Sequence, residues 1–363
     1  MGQVLSVCGE KGRFGKTRLC ASIFLLLVAV VPSVAGAADR VSAENPGDRS
    51  PGPAYAGCDK FLSDDAAFFR CLNDASRAGD PLAQRRLGDL YEAGRGVPRD
   101  SAEAMKWYRK AAEQGNPEAQ ASLGDAYAFH QQEYAEALSW YRKAAEQGNA
   151  EALYGIGVLY ANGLGIPRDR AKAVEWYRKA AERGNPKAQN SLGRAYAYGV
   201  GVRRDPSEAL RWYRQAAGQG DAGALGWLTS VAEEGSPEGQ YALGVMYADG
   251  KGVPRDAAEA ARWFHKSAEQ GYAEAQKDLG WMYANGEGVK RNDEEAAKWI
   301  RKAADQGDPH AQNNLGVMYA TGRGLPKDYV EAAKWFRMAA DSGDAKGKEN
   351  LEKLNDLLRP KTK

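Results

Sequence analysis

"LGDLYEAGRGVPRDSAEAMKWYRKAAEQG", residues Leu87–Gly115, joins a glycine-rich loop, GRGVPRD, to a stretch of aromatic residues and paired alanines. The stretch is not unique, because alignment of the sequence with itself gives copies 36 residues apart, with one step of 33 and one of 51. Self-similarity at such a period is typical of a stacked array of repeats. The copies match at Ala83, Ala119, Ala152, Ala188, Gly239, Ala275 and Ala311.

Each copy predicts a hairpin of two amphipathic helices, because its small and apolar residues follow helical spacing. Asp100 and Glu103 form a capping box at the start of the second helix, and Pro117 marks the start of the next first helix. In the first copy the two stripes are Ala83, Leu87, Tyr91 and Gly94, and then Ala104, Trp107, Tyr108, Ala111, Ala112 and Gly115.

Two kinds of glycine recur in the copies. Gly88 lies inside the first helix, where glycine costs about 1 kcal/mol relative to alanine, so we expect a neighbouring backbone to approach it closely. We expect rings of the Trp107 and Tyr91 type to fill the space around it. The pair Gly94 and Gly96 follows a helix rather than a strand, which favours a helix-ending turn over a phosphate-binding loop.

The pattern AQxxLGxxYxxGxGVxxDxxxAxxWYRKAAEQG resembles the Sel-one-like repeat, a relative of the tetratricopeptide repeat, from Ala67 to the C-terminus. The resemblance implies an all-α fold: a right-handed α/α solenoid of about seven 36-residue helix-hairpin repeats that holds other proteins together. Residues 67–78 align with a second helix and predict an N-terminal capping helix. A further capping helix is expected at the C-terminal end.

One step between copies is irregular. The stretch ALGWLTSVAEEG, residues 224–235, fits the frame of a second helix although a second helix directly precedes it. We therefore expect a first subarray with its cap over residues 58–220, a single-helix interruption over 221–235, and a second subarray with its cap over 236–358. The two subarrays are expected to meet at a bend.

Residues 1–37 have the three parts of a signal peptide. Basic residues precede the apolar run Ala21–Val31, and an A-x-A site ends at Ala37. The pattern predicts cleavage near Ala37/Ala38 and a periplasmic or secreted protein, with an uncleaved membrane anchor as the alternative. A myristoylation pattern at Gly2 explains the segment less well. Residues 38–57 are rich in Pro, Gly and Ser and predict a flexible leader.

Signal removal leaves two cysteines, Cys58 and Cys71. An even pair in an exported protein predicts a disulfide, and a free pair is the alternative. Removing residues 1–37 also takes four of the 50 basic and one of the 48 acidic residues, which leaves a net charge of −1. Nothing in this balance indicates a nucleic-acid partner.

Catalytic and metal-binding patterns are weak. The three histidines, His130, His265 and His310, occupy unrelated positions in their copies, so no metal or cofactor site is predicted. Some cysteine-rich exported members of the family that the chain resembles have been linked to β-lactamase activity, but the S-x-x-K signature is absent from the sequence. We therefore expect a non-enzymatic protein, with a β-lactamase-like hydrolase as a remote alternative.

The preferred function is that of a non-catalytic exported scaffold that presents a groove to a protein or peptide. Binding of an envelope polymer, such as peptidoglycan or exopolysaccharide, is the alternative. In tetratricopeptide-like stacks the first helices line the concave wall, so the partner-binding candidates lie at four positions of those helices that packing does not require. Large aromatic residues among them are the strongest candidates, unless they pack against the next repeat. The candidates are Arg85, Arg86, Asp89, Tyr154, Asn162, Asn190, Arg194, Tyr198, Tyr241, Asp249, Lys277, Asp278, Trp281, Asn285, Asn313 and Asn314.

Overall fold

The computed structural model describes residues 57–359, which form seventeen α-helices and no strand. The expected signal peptide, residues 1–37, and all of the leader except Gly57 lie outside the described residues. The helices are α1 (Asp65–Arg77), α2 (Pro81–Ala93), α3 (Ser101–Glu113), α4 (Pro117–Ala126), α5 (Tyr134–Glu146), α6 (Ala150–Asn162), α7 (Arg170–Glu182), α8 (Pro186–Tyr198), α9 (Pro206–Gly218), α10 (Ala222–Glu233), α11 (Pro237–Asp249), α12 (Ala257–Glu269), α13 (Ala273–Asn285), α14 (Asp293–Asp305), α15 (Pro309–Thr321), α16 (Tyr329–Asp341) and α17 (Ala345–Leu358).

Capping residues set the start and the end of the helices in each hairpin. The Asp100 carboxylate accepts a hydrogen bond from the backbone N–H of Glu103 at 2.9 Å, so α3 starts directly after it. Gly94 ends α2 in the left-handed region, with φ of 69°. These ends recur along the chain, and the predicted helix hairpins are confirmed.

The interior glycine of each first helix accommodates a ring of its own hairpin. A Cβ on Gly88 would lie 2.5 Å from Cε1 of Tyr108 and 3.2 Å from the carbonyl oxygen of Ala104. The backbone of the partner helix is therefore close, as expected. The ring that fills the space is of the Tyr108 type, however, and not of the Trp107 or Tyr91 type, because Tyr108 is the aromatic residue whose side chain points at the glycine.

The second glycine of each G-x-G pair packs against the preceding repeat. A Cβ on Gly96 would lie 2.5 Å from the carbonyl oxygen of Asp65, and one on Gly288 would lie 2.0 Å from that of Ala257. In five of the six pairs the loop therefore ends one helix and contacts the start of an earlier one, whereas Gly252 meets the end of α9. The loop sequence serves packing, as the interpretation as a helix-ending turn predicts.

The second repeat replaces this loop with a π-helical turn, Tyr127–Gln131, because it is shorter than the other repeats. Gln132 follows in the left-handed region with φ of 56°, a conformation that no other non-glycine residue in 57–359 adopts. The shortened connection keeps the hairpin of α4 and α5 intact.

Helices two apart along the chain lie side by side, which produces two layers. The fifth residue of a first helix bridges to the next helix in its layer: Lys277 of α13 pairs with Asp308 at the start of α15 at 3.4 Å. In the same way the Asn350 side chain of α17 donates to Asn313 of α15 at 2.8 Å. Even-numbered helices therefore form one layer and odd-numbered helices the other.

The single helix α10 belongs to both subarrays. Its N-cap Asp221 accepts a hydrogen bond from the Asn190 side chain of α8 at 2.7 Å, the bridge that a following first helix makes. At its other end the Ala232 carbonyl accepts from the Gln240 side chain, as the Ala181 carbonyl of a second helix accepts from Gln189. The sequence interpretation of α10 as a plain second helix is therefore corrected: it starts as a first helix and ends as a second helix.

Insertion of one helix changes which layer holds the first helices. They are the even-numbered α2, α4, α6 and α8 in the first four repeats, and the odd-numbered α11, α13 and α15 in the last three. As a consequence α11 lies beside the second helix α9, where a Cβ on Gly252 would meet the Ala217 carbonyl at 2.0 Å. The expected bend at this place remains a prediction.

Capping elements close both ends of the described chain. The Cys58–Cys71 disulfide is present and ties the 3₁₀ turn Asp59–Phe61 to α1. Cys58 is fully buried beside Phe68 and Leu72. At the other end α17 packs Leu354 on α16, beside Ala332 and Phe336, and its lysine and glutamate side chains are exposed. The predicted α/α solenoid with capping helices is confirmed.

Candidate partner-binding surface

Several of the candidate residues are exposed on the first helices. Tyr198 on α8 has 67% of its side-chain surface accessible, and Trp281 on α13 has 51%. Arg194, one helical turn before Tyr198, is also exposed. Large aromatic rings and arginine are the residue types that contribute most to protein interfaces. The other exposed candidates are Asn162, Asp249 and Asn285.

Candidates in the first and last repeats are more buried than their positions predict. Asp89 is only 5% exposed, because its carboxylate accepts hydrogen bonds from the Tyr108 hydroxyl at 2.9 Å and from Arg85 at 3.1 Å. Asn313 is 6% exposed and accepts from Asn350. The expectation that these two side chains face solvent is wrong. Arg85, Arg86 and Asn314 are half-buried.

The candidate tyrosines Tyr154 and Tyr241 are half-buried, and each packs on an aromatic ring of the second helix of its own hairpin. The ring of Tyr154 lies 5.6 Å from that of Tyr177, and burial raises the pKa of Tyr154. The ring of Tyr241 lies 5.5 Å from that of Phe264, and its hydroxyl donates to Asp278 at 3.1 Å. Both rings therefore pack inside their hairpins, and the bond to Asp278 of α13 also ties Tyr241 to the adjoining repeat, the alternative left open by the sequence.

The candidate set does not form one continuous wall. Arg194 and Tyr198 lie in the even-numbered layer, whereas Trp281 and Asn285 lie in the odd-numbered layer. Because α10 exchanges the layers, the first helices of the two subarrays occupy different sides of the stack. The single groove expected from the sequence is thereby divided into two surfaces.

Polar residues that the sequence interpretation missed link the two helices of a hairpin to the previous repeat. The Gln219 side chain at the end of α9 donates to Oε1 of Gln189 at 2.7 Å, and Gln189 donates to the Ala181 carbonyl at 3.2 Å. The recurring dipeptides Ala-Gln and Glu-Gln are the sequence signal for these bonds, which a pattern of apolar residues does not reveal. Gln189 is buried and serves packing, whereas Gln219 is exposed.

A cleft opens between α9 and α11 beside the single helix. Its volume is about 470 Å³, and its walls include Arg214, Gln215 and Gln219 from α9 and its C-cap, and Tyr241, Val245 and Met246 from α11. The Asp249 and Lys251 side chains at one end form a salt bridge of 3.0 Å. The cleft exists because the single helix places α11 beside a second helix.

The histidines lie in separate repeats. His130 is 3.3 Å from Glu92, His265 stands edge-on to Trp299, and His310 Nδ1 is 2.6 Å from Asp344. Within residues 57–359 no group of three or more His, Cys, Asp or Glu side chains is arranged to hold a metal ion. None of the helices described there is both long enough and apolar enough to span a bilayer.

Comparison with known families and structures gives a consistent result. The model of the Sel1 repeat matches seven segments, residues 81–116, 117–149, 150–185, 186–221, 237–272, 273–308 and 309–344. The match thus omits residues 222–236, which hold α10. No curated protein sequence is significantly similar to the chain.

Solved structures of Sel1 repeat proteins are similar in sequence. A protective antigen of uropathogenic Escherichia coli with an SLR fold is 32% identical, over 85% of this chain and 80% of that one, with a TM-score of 0.42. A Sel1 repeat protein from Oxalobacter formigenes is 32% identical over 88% and 85% of the two chains, with a TM-score of 0.35. Cysteine rich protein B of Helicobacter pylori is 25% identical over 36% and 95%, with a TM-score of 0.30.

Proposed function

Since this chain belongs to the Sel1 repeat family, whose members are typically non-enzymatic scaffolds for protein interaction, we propose that it is an exported scaffold that binds a partner protein through its first helices. The observation that supports this proposal is the exposure of Tyr198 and Trp281. Rings of this size normally pack in a core, and at 67% and 51% exposure they are available to a partner.

Export is supported by two independent features. The sequence of residues 1–37 has the organisation of a signal peptide. The Cys58–Cys71 disulfide indicates an oxidising compartment, because thiols of this kind stay reduced in the cytosol. We propose that the mature protein starts near Ala38 and acts in the periplasm or outside the cell.

Site-specific crosslinking tests the scaffold function. A photoreactive residue at position 198 or 281 should capture a partner protein in cells, and mass spectrometry would identify it. The control is the same residue at Val330, which is 79% exposed but lies on the second helix α16. The proposal would be contradicted if positions 198, 281 and 330 all captured protein equally. It would also be contradicted if the chain bound cell-wall polymer in a sacculus pull-down and captured no protein.

A further inference from the structure

We propose that the cleft between α9 and α11 binds an acidic peptide segment of a partner protein, with Arg214 as the residue that receives its carboxylate. This inference rests on the proposed scaffold function and names the chemistry of a partner. It derives from an arginine that has a fixed partner in three of the regular repeats and has none at α10.

In three regular repeats the arginine two residues after the recurring tryptophan of the second helix bonds to the following first helix. Arg178 of α7 donates to the hydroxyl of Tyr196 at 2.7 Å, 18 residues later in the chain. Arg109 makes the same bond to Tyr127, and Arg301 makes it to Tyr319, each again 18 residues later. The arginine therefore links repeats at three places along the chain, although Arg142 and Tyr160, which have the same spacing, form no such bond.

At the interruption this link is broken. The residue 18 positions after Arg214 is Ala232 in α10, which has no hydroxyl to accept the bond. Arg214 is exposed, and within the described part of the chain it forms no hydrogen bond and no salt bridge. Its charge instead acts on Tyr272, which packs on Tyr241 at the cleft.

The remaining groups of the cleft fit a peptide that carries a carboxylate. Asp249 and Lys251 neutralise each other, so the guanidinium of Arg214 gives the cleft a net positive charge. Arginine binds a carboxylate through two parallel N–H···O bonds. Val245 and Met246 offer an apolar wall for a neighbouring side chain, and Gln215 on the α9 side offers an amide for the peptide backbone.

The volume of about 470 Å³ lies within the range of ligand-binding clefts. Because α11 lies beside α9 only where α10 is inserted, this cleft belongs to the irregular step and not to each repeat. The proposed ligand is therefore a segment in which an acidic residue neighbours an apolar one.

Fluorescence anisotropy with the full mature chain tests the inference. The probe is a labelled peptide of alternating glutamate and leucine, compared with peptides in which lysine or glutamine replaces glutamate. We expect binding of the glutamate peptide alone, weakened about tenfold or more by Arg214→Ala and Arg214→Gln and less by Arg214→Lys. Arg178→Ala is the matched control, since Arg178 is already bonded to Tyr196 and lies outside the cleft.

A deletion variant tests the origin of the site. Removing residues 222–236 joins Asp221 to Pro237 and places Tyr247 at the position that pairs with Arg214. This variant should fold cooperatively and lose the peptide. Three results would overturn the inference. The first is that the glutamate peptide binds the Arg214→Ala variant as well as the native chain, and the second is that the lysine peptide binds equally well. The third result is that free glutamate displaces the labelled peptide as well as unlabelled peptide does. Crosslinking from Tyr198 and Trp281 is unaffected by Arg214→Ala, so the scaffold function is tested separately.

Discussion

The side chain of Gln147, at the end of α5, donates a hydrogen bond to Oε1 of Gln120, in α4, at 2.9 Å, and Gln120 in turn donates to the carbonyl oxygen of Ala112 in the preceding repeat at 3.2 Å. The pair thus satisfies a helix-end carbonyl inside the core. In the third repeat both glutamines are replaced together, by Leu153 and Arg183. In the last repeat Ser342 replaces the second one, and Oε1 of Gln312 is buried without a hydrogen bond.

The glutamine pair predicts a coupled loss of stability. Gln120→Leu should lower the free energy of unfolding by about 1 kcal/mol, because it removes the side-chain hydrogen bonds to the Ala112 carbonyl and from the exposed Gln147 amide. The Ala112 carbonyl keeps its backbone bond from Gly115. The double variant Gln120→Leu with Gln147→Arg, which copies the third repeat, should lose less than the sum of the single variants. Urea denaturation of all three proteins measures this, and strictly additive losses would contradict the coupling.

Two helical glycines predict opposite effects of alanine. Gly88→Ala should destabilise the protein although alanine favours a helix, because the new Cβ would lie 2.5 Å from the Tyr108 ring. Gly226→Ala in α10 should stabilise it by up to about 1 kcal/mol, because no atom lies within 4 Å of the new Cβ. Thermal unfolding of the two variants compares them directly. A stabilised Gly88→Ala would show that the ring does not constrain this position.

The disulfide predicts that the N-terminal cap depends on oxidation. Cys58 and Cys71 are 13 residues apart, and a closed loop of this size contributes about 3 kcal/mol by restricting the unfolded chain. The double variant Cys58→Ala with Cys71→Ala should therefore have a lower Tm than the native chain. Thiol alkylation of the exported protein should find no free cysteine, and N-terminal sequencing should start near Ala38. Two reactive thiols in the exported form would contradict this prediction.

Asp278 predicts a pH dependence of stability. Burial raises the pKa of the Asp278 carboxyl, an effect that Lys277 and the bond from Tyr241 only partly oppose. A raised pKa in the folded state means that the carboxyl contributes stability below its unfolded pKa and that this contribution is lost as pH rises through the folded value. Relative to wild type, Asp278→Asn should thus gain thermal stability between acidic and neutral pH. A constant difference in Tm across that range would contradict the assignment.

Periodicity in the sequence predicts the helices and the main stripe of the core, because helix formation and burial of one face are local properties. Ala83 and Leu87 are buried, and the left-handed φ of Gly94 ends the helix as expected. The same periodicity places Tyr154 and Tyr241 outside that stripe. It does not show that a ring of the second helix covers them, because this depends on how the two helices of a hairpin pack.

The irregular step could be located from the sequence but not fully interpreted. The residues Ala224, Leu228 and Ala232 are buried in α10 and fit the frames of both helix types, since both place a small or apolar residue every fourth position. Only the contacts of Asp221 with α8 and of Ala232 with α11 show that the helix serves both subarrays. The cleft at Arg214 follows from these contacts and has no pattern of its own in the sequence.

The exchange of layers at α10 predicts a measurable distance change. Because Tyr198 lies in the even-numbered layer and Trp281 in the odd-numbered layer, the distance between spin labels at these positions should contain the thickness of the stack in addition to their separation along it. Deletion of residues 222–236 should restore the regular junction seen at Gly307–Asp308–Pro309 and bring both positions into one layer. Double electron–electron resonance should then record a shorter distance between the two labels. X-ray scattering in solution tests the predicted bend, because its loss in the deletion variant should change the overall shape. An unchanged distance and an unchanged scattering profile in a folded deletion variant would contradict both the layer exchange and the bend.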